Sequence, residues 1–381
     1  MKIAYKLAVA SLLLLQGCST VEGWFAGSKS VHEKPAPLVA FKPTLNVDVA
    51  WHGSVGAAED FQFSPKLRGD TLFATGKNGV IEGFNANTGA QKIHIETGTK
   101  LSAGIGVGDN LLLAGTVRGE LLAYDFAGKS LWKAKVSSEI LSAPQVADGI
   151  VIVRTGDGHV LGINAADGKQ KWMYQRTLPA LTVRSFAGVL ADSNGVYAGF
   201  AGGKLVALSL EGTELWEASV AVPRGATELE RITDITSLPV SDGRSICAVA
   251  YQGRVACFDA GSGNPIWGRK LSSITGLAQD ERNLYISDSH GTLFAVDRAT
   301  GASVWKQDKL ASRQLSTPAV VGNYIAVGDL QGYVHFISRD DGSFAARVAT
   351  DGSGIQSAPI SLPTGVVVQT AKGGVYVITI K

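Results

Sequence analysis

The sequence DSHGTLFAVDRATGASVW, residues 288–305, contains the pattern from which the fold of this chain can be predicted. A turn ending at Gly291 precedes an alternating apolar run typical of a half-buried strand. A second turn, ending at Gly301, opens another strand, and residues 283–287 supply the strand that pairs through the first turn. One copy therefore holds three to four strands of about five residues, the size of one propeller blade.

The same pattern recurs eight times along the chain. Its anchoring glycines are Gly79, Gly119, Gly158, Gly203, Gly253, Gly291, Gly332 and Gly373. In five copies a tryptophan follows four residues after a second glycine, namely Trp132, Trp172, Trp216, Trp267 and Trp305. A period near forty residues with short alternating strands indicates a radial or stacked repeat fold. We interpret the tryptophans as wedges that dock one blade on the next, each burying a large ring and finding an acceptor for its N–H.

The two ends of the chain indicate how the ring closes. The eighth copy stops at Lys381 before any tryptophan strand, and the missing strand is found in LNVDVAW, residues 45–51, which ends at Trp51. An N-terminal strand that completes the last blade leaves no open sheet edge. An open solenoid, the alternative, would need capping repeats, which the sequence lacks. The sequence therefore predicts an all-β, eight-bladed β-propeller of four-stranded blades over residues 45–381.

The first residues read as a lipoprotein leader. A short basic start and an apolar run over residues 7–15 precede Leu-Gln-Gly-Cys, with the cysteine at Cys18. An ordinary signal peptide with an incidental cysteine is the alternative. We predict a signal peptide over 1–17, lipidation of Cys18 and a flexible tether over 18–44, which is rich in proline. Ser19 after the cysteine indicates a lipid-anchored protein of the outer membrane that faces the periplasm.

Composition and motifs argue against nucleic-acid binding and catalysis. Without the leader, 33 basic residues balance 33 acidic ones, so the mature chain is close to neutral. The six histidines are scattered, and no metal site is expected. Repeated aspartates such as Asp297 stand at turn positions, no G-x-S-x-G motif occurs, and the glycine-rich stretch 104–108 is not followed by a helix. The sequence predicts a protein that is not an enzyme and holds no cofactor.

Two cysteines flank the turn around Gly253. Cys247 and Cys257 lie almost symmetrically about it, so they can face each other across a hairpin. A cross-strand disulfide in an oxidising periplasm and two buried thiols on neighbouring strands are both consistent with this spacing.

Two families share these repeats. Residues 297–305 resemble the tryptophan-docking repeat of the pyrroloquinoline-quinone dehydrogenases, but this chain has no adjacent cysteine pair, which implies shared architecture without the cofactor. A lipobox, a tether and eight such repeats over residues 18–381 resemble the BamB family, the lipoproteins of the outer-membrane β-barrel assembly (Bam) machinery. The most specific segment is PRGATELERITD, residues 223–234, which contains Arg224 and Arg231.

The repeat spacing marks where a partner would bind. Two consecutive intervals between anchoring glycines, of 45 and 50 residues, exceed the others, so two long loops should emerge side by side on one face. The resemblance implies that a Leu-x-Leu-Arg segment and an Asp-x-Asp segment in these loops contact BamA. Here the corresponding residues are Leu181, Val183, Arg184 and Asp234.

This chain departs from the family pattern at two places. Val183 replaces a leucine, which is a mild apolar change, and Thr236 stands where a second aspartate is expected. Because threonine carries no charge, Asp234 is expected to act alone rather than as part of an acidic pair. Arg184 and Asp234 could instead form an ion pair that stabilises the loops.

The resemblance implies a non-enzymatic scaffold of outer-membrane protein assembly. Its partners would be the periplasmic POTRA domains of BamA, other Bam subunits and unfolded outer-membrane proteins. Two other functions remain alternatives at this point: a quinoprotein-like periplasmic enzyme and a propeller that binds peptidoglycan.

Overall fold

The computed structural model describes residues 34–381 and builds them into eight antiparallel sheets of four strands each. This confirms the predicted eight-bladed propeller. The signal peptide, Cys18 and the first part of the predicted tether lie outside the described residues. Across residues 34–381, no helix has the length and apolar character needed to cross a membrane.

We number the blades along the chain and give their strands from the innermost to the outermost. Blades 1 to 4 consist of β2 (Lys66–Arg68), β3 (Thr71–Thr75), β4 (Val80–Asn85) and β5 (Gln91–Glu96); β6 (Gly106–Gly108), β7 (Leu111–Gly115), β8 (Glu120–Tyr124) and β9 (Ser130–Lys135); β10 (Gln145–Ala147), β11 (Ile150–Arg154), β12 (His159–Asn164) and β13 (Gln170–Gln175); β14 (Val189–Asp192), β15 (Gly195–Phe200), β16 (Lys204–Leu208) and β17 (Glu214–Ser219). Blades 5 to 8 consist of β18 (Val240–Ser241), β19 (Ser245–Val249), β20 (Arg254–Asp259) and β21 (Pro265–Lys270); β22 (Gly276–Gln279), β23 (Asn283–Ser287), β24 (Leu293–Asp297) and β25 (Ser303–Gln307); β26 (Ala319–Val321), β27 (Tyr324–Gly328), β28 (Tyr333–Ser338) and β29 (Phe344–Ala349); β30 (Ile360–Leu362), β31 (Gly365–Gln369), β32 (Gly374–Ile380) and β1 (Val47–Ser54).

The N-terminal strand completes blade 8. It pairs antiparallel with the last strand of the chain, from Val47 opposite Ile380 to Ser54 opposite Gly374, with a bulge between Val49 and Trp51. The predicted closure of the ring by the N-terminal strand is therefore confirmed.

The apolar core lies between the blades rather than within them. Each of eight buried clusters draws its residues from two neighbouring blades, and together they join every adjacent pair around the ring. The cluster between blades 8 and 1, for example, packs Val367 and Val375 against Leu72 and Ala74. Because a blade buries its faces only against its neighbours, the ring is stable only as a closed set.

Six tryptophans on outermost strands make one repeated contact. Each donates its indole N–H to a backbone carbonyl of the following blade at 2.7–3.0 Å: Trp51 to Ala86, Trp132 to Ala165, Trp172 to Leu210, Trp216 to Ala260, Trp267 to Arg298 and Trp305 to Arg339. The ring lies against the second glycine of that blade, and a Cβ added to Gly263 would meet the Trp216 ring at 2.6 Å. Gly263 also has a φ of +71°, so both backbone conformation and close approach require glycine there.

The two cysteines of blade 5 form a disulfide. Cys247 and Cys257 are opposite each other in the register of β19 and β20, and both are buried. Their sulfur atoms are 1.98 Å apart and their Cα atoms 4.1 Å apart. Of the two arrangements that the sequence left open, the structure has the covalent one.

Replacing both cysteines with alanine should lower the free energy of unfolding by about 2–3 kcal/mol, because the cross-link restricts a short loop in the unfolded chain. Urea unfolding of the double variant and of the oxidised parent measures the difference. A reductant should lower the stability of the parent and leave the variant unchanged. Equal midpoints for the variant and the oxidised parent would contradict this prediction.

The chain before β1 lies against blade 7. Residues 36–45, which we call the strap, run alongside the outermost strand β29. The Ala36 N–H donates to the carbonyl of Ala311 at 2.9 Å, and the Thr44 N–H donates to that of Ala345 at 3.0 Å. Residues 36–44 of the predicted flexible tether are thus held on the propeller by backbone hydrogen bonds.

Candidate partner-binding face

One face of the propeller carries both long loops. Strands alternate in direction within each blade, so the turn between the second and third strands lies on the same face as the connection to the next blade. The two insertions are connections of this kind: residues 176–188 join β13 to β14, and residues 220–239 join β17 to β18. They flank blade 4, and we call this surface the insertion face.

A buried carboxylate joins the two insertions. Asp234 is only 3% exposed, and its Oδ2 accepts the Val183 N–H at 2.7 Å. Its Oδ1 accepts the N–H of Gly202, in the turn of blade 4, at 3.0 Å. The Asp234 carbonyl accepts the Tyr251 N–H at 2.8 Å. Asp234 therefore ties both insertions to two blades, and both of its carboxylate oxygens accept hydrogen bonds within the fold.

Thr236 is also buried and used within the fold. Its Oγ1 donates to the carbonyl of Ile274 at 2.8 Å, and its own carbonyl accepts the Ser185 hydroxyl at 3.4 Å. Thr236, where the resemblance implied a second aspartate, thus links the insertions to the connection that enters blade 6. Its neutral hydroxyl supplies no second negative charge.

A single turn shapes the tip of the second insertion. The Glu230 N–H donates to Thr227 Oγ1 at 3.3 Å, and Glu230 Oε2 accepts the N–H of Thr227 at 3.1 Å and of Ala226 at 2.8 Å. These backbone donors hold the pKa of Glu230 below its ordinary value. This is a capping box, and its Thr-x-x-Glu spacing is the signal in the sequence that marks it.

A glutamine from blade 5 supports the same tip. With its nitrogen turned toward the loop, the Gln252 amide donates to the carbonyls of Leu229 and Ile232 at 3.3 and 3.2 Å. Gln252 itself has a φ of +50°, which is uncommon for a residue other than glycine. The tip is therefore held from within and from the neighbouring blade.

Apolar side chains project from both insertions. Leu181 is 44% exposed, and Val222 and Leu229 are more exposed still. A groove of about 300 Å³ between the loops is lined by residues of both, including Pro179, Leu181, Pro223 and Arg231. Neighbouring exposed apolar groups next to charged ones are typical of an interaction surface.

Arg184 does not pair with Asp234. No ion pair joins these two described residues, and the Arg184 guanidinium lies instead over the rings of Phe61 and Phe186, 5.5 and 5.7 Å from their centroids. Arg184 lines a cavity of about 250 Å³ beneath the first insertion and also a larger one of about 630 Å³, which the innermost strands β14, β18 and β22 help to line. The Arg184 side chain is exposed to solvent and borders both cavities.

A second arginine, Arg154, lines the smaller cavity, and no sequence pattern predicted it. Burial lowers the pKa of Arg154 to about 10, while the nearby carboxylate of Asp234 acts in the opposite direction. Arg154 lies over Phe200 and donates weakly to the Ala187 carbonyl at 3.4 Å. It occupies the end of β11 as an ordinary strand residue, so no motif could mark it.

The residues that the family resemblance implied as partner contacts differ in their exposure to solvent. Leu181, Arg184, Arg224 and Arg231 are exposed on the insertion face. Val183 is half-buried, and its backbone rather than its side chain meets Asp234. The insertion face thus combines exposed apolar and cationic groups with a buried acidic support.

One group of residues resembles a catalytic triad in composition only. Ser137 and Asp157 both contact the same nitrogen of His159, Nδ1, at 3.2 and 2.9 Å. A triad needs the carboxylate and the nucleophile on opposite ring nitrogens. Among residues 34–381 there is also no group of three or more side chains placed to hold a metal ion.

Fold and site together define a propeller scaffold, a closed ring that carries two long insertions on one face. A family model described as outer membrane protein assembly factor BamB matches residues 58–307. The chain belongs to the BamB family and is accordingly a non-enzymatic outer membrane protein assembly factor.

Individual relatives agree with this assignment. Outer membrane protein assembly factor BamB of Burkholderia pseudomallei is 43% identical over 96% of this chain and 95% of its own. The Nitrosomonas eutropha protein of the same name is 43% identical over 97% of this chain and 93% of its own. The crystal structure of BamB from Moraxella catarrhalis superimposes with a TM-score of 0.81 at 26% identity, covering 88% of this chain and 100% of that one.

The resemblance to quinoproteins is one of fold. A quinohemoprotein alcohol dehydrogenase of Pseudomonas putida superimposes with a TM-score of 0.71 at 13% identity, over 87% of this chain and 76% of that one. At this identity the likeness extends to the propeller alone.

Proposed function

We propose that the insertion face binds the periplasmic POTRA domains of BamA while a lipid on Cys18 holds the protein at the outer membrane, facing the periplasm. In this proposal residues 1–17 are a signal peptide, the following segment is a tether, and residues 45–381 form the binding scaffold. One observation carries it: exposed Leu181 and Arg184 belong to a loop whose position is set by buried Asp234.

The face is suited to binding because its shape exists before a partner arrives. Asp234, the Thr227–Glu230 capping box and Gln252 hold both insertions through hydrogen bonds to the backbone. Binding then orders few additional groups, so less of the interaction energy is lost. Apolar anchors and arginines in such positions are the groups that usually dominate an interface.

Leu181→Asp and Arg184→Glu should each weaken binding to purified BamA periplasmic fragments by about tenfold or more, equivalent to about 1.4 kcal/mol. Isothermal titration calorimetry measures the affinities. Leu131→Asp is the matched control for the first variant, because Leu131 is also 44% exposed but lies on β9, away from the insertions. Arg282→Glu, on the turn between β22 and β23, is the control for the second. Unchanged affinity in both test variants would refute the assignment of this face.

A further inference from the structure

The strap is bound at its centre by one arginine of blade 7. Phe41 stacks on Phe344 with ring centroids 5.3 Å apart. The Arg347 guanidinium lies over both rings, at 5.1 and 5.4 Å, and its Nη1 donates to the carbonyl of Val39 at 3.2 Å. Its Nη2 is buried without a hydrogen-bond partner among the described residues. The strap thus depends on an arginine whose own polar contacts are incomplete.

The end of the strap fills a gap in the repeat. Blade 7 has Ala346 at the position that a tryptophan occupies in six other blades. Leu45 of the strap packs with Ala345 and Ala346 in the apolar cluster between blades 7 and 8. The end of the strap therefore packs against small side chains of blade 7.

A buried polar network connects Arg347 to the other end of the strap. Arg347 Nε donates to His335 Nδ1 at 3.1 Å, and His335 Nε2 lies 2.9 Å from Asp329 Oδ2. The same oxygen accepts Arg313 Nε at 2.7 Å, and Arg313 Nη1 donates to the Ala36 carbonyl at 2.8 Å. His335, Asp329 and Arg313 are all buried. Both ends of this network thus hold backbone carbonyls of the strap.

The network requires neutral His335. Because Nδ1 accepts a hydrogen bond from Arg347, the single ring proton must be on Nε2, where it is donated to Asp329. A second proton would remove the acceptor for Arg347. It would also place three cations around one carboxylate in a site closed to solvent.

No other repeat contains this combination. Asp329 stands three residues before its anchoring glycine and His335 three residues after it. Among the other seven repeats only one has an aspartate at the first position, Asp288, and its partner at the second position is Phe294. The blade fold does not need the pair, so the pair is best explained by what it holds, the strap.

We propose that the strap is a pH-sensitive latch: protonation of His335 releases residues 36–45 from blade 7. Four ionisable groups face this histidine or its partners: Arg313 from the connection before β26, Asp329 from the turn after β27, Tyr333 from β28 and Arg347 from β29. Release would free about ten residues, which in extended form span roughly 33–36 Å. The latch would thereby set how far the propeller can move from the preceding chain.

The direction of the pH effect follows from burial. Burial lowers the pKa of His335, and the charges of Arg347 and Arg313 lower it further, outweighing the opposite effect of Asp329. With the strap released the ring meets water, and its pKa returns toward 6.5. The released state then binds more protons, so docking of the strap weakens as the pH falls below about 6.5 and stops changing below the depressed pKa of the docked state.

Hydrogen exchange of the purified full-length protein tests the latch. Mass spectrometry from pH 7.5 to 5, corrected for the intrinsic pH dependence of exchange, gives protection factors for the amides of Ala36, Thr44 and Leu45. They should fall by up to about tenfold per pH unit below about pH 6.5, because one proton is bound on release. The amides of β28 should remain protected.

Two variants make the test specific. The His335→Gln side chain can donate to Asp329 and accept from Arg347 but does not titrate, so its strap should stay protected throughout. Phe41→Ala should leave the strap unprotected at every pH with β28 intact. Constant protection of the wild-type strap down to pH 5 would overturn the proposal, as would a parallel decline in a folded His335→Gln protein. The wild-type series decides the matter even if that variant does not fold.

Discussion

Replacing Asp234 with alanine is expected to disable the insertion face. The substitution leaves the N–H groups of Val183 and Gly202 without their acceptor in a buried site. Losing hydrogen bonds to a charged group and leaving their donors unsatisfied should lower the free energy of unfolding by about 2–4 kcal/mol. Because the first insertion then loses its fixed position, binding to BamA fragments should fall by more than tenfold.

Urea unfolding, hydrogen exchange at Val183 and Gly202 and calorimetric binding measure the three effects together. Asp234→Asn serves as the control, since it keeps one acceptor oxygen and should retain part of the stability and the affinity. Full affinity in Asp234→Ala would contradict the positioning role. Lost affinity with unchanged stability and amide protection would show instead that Asp234 touches the partner directly.

Replacing Trp216 with alanine should cost about 3–5 kcal/mol, the usual range for removing a buried tryptophan. Trp216 is buried between blades 4 and 5, where its ring packs against Gly263 and lies 6.0 Å from that of Tyr197. Its N–H donates to the Ala260 carbonyl at 3.0 Å. The cavity would open between the two blades that the second insertion connects.

Chemical unfolding monitored by circular dichroism measures this loss. Trp216→Phe keeps an aromatic ring but removes the N–H donor, so it should cost less than the alanine variant. Met173→Ala, at an exposed position on β13, should change stability by less than about 0.5 kcal/mol. A Trp216→Ala protein within 1 kcal/mol of the parent would show that the tryptophan does not join the blades.

The fold could be predicted from the sequence because the turn glycines and the apolar alternation of the repeat recur at nearly constant spacing. Eight anchoring glycines predict eight blades, and the orphan strand ending at Trp51 predicts the closure that pairs Val47 with Ile380. The two longest intervals between glycines correspond to the insertions at 176–188 and 220–239. Local turn chemistry and strand periodicity act over a few residues, so a single sequence displays them.

Only part of the insertion face could be predicted from the sequence. Leu181 and Arg184 could be picked out in a long loop, and both are exposed there. Whether a polar residue such as Asp234 faces solvent or the interior is decided by which backbone N–H groups approach it. Its partner Val183 is 51 residues away in sequence.

The ring, its closure and the blades that carry long loops could be predicted from the residues, because these follow from periodicity and from the positions of turns. Three features emerged from the folded arrangement alone: Asp234 supports the loops, Arg154 lies beneath them, and the strap lies against blade 7. Arg313 meets Ala36 across 277 positions, and Arg347 meets Val39 across 308. Such contacts form only when ring closure brings distant segments together, and no local pattern in the sequence specifies them.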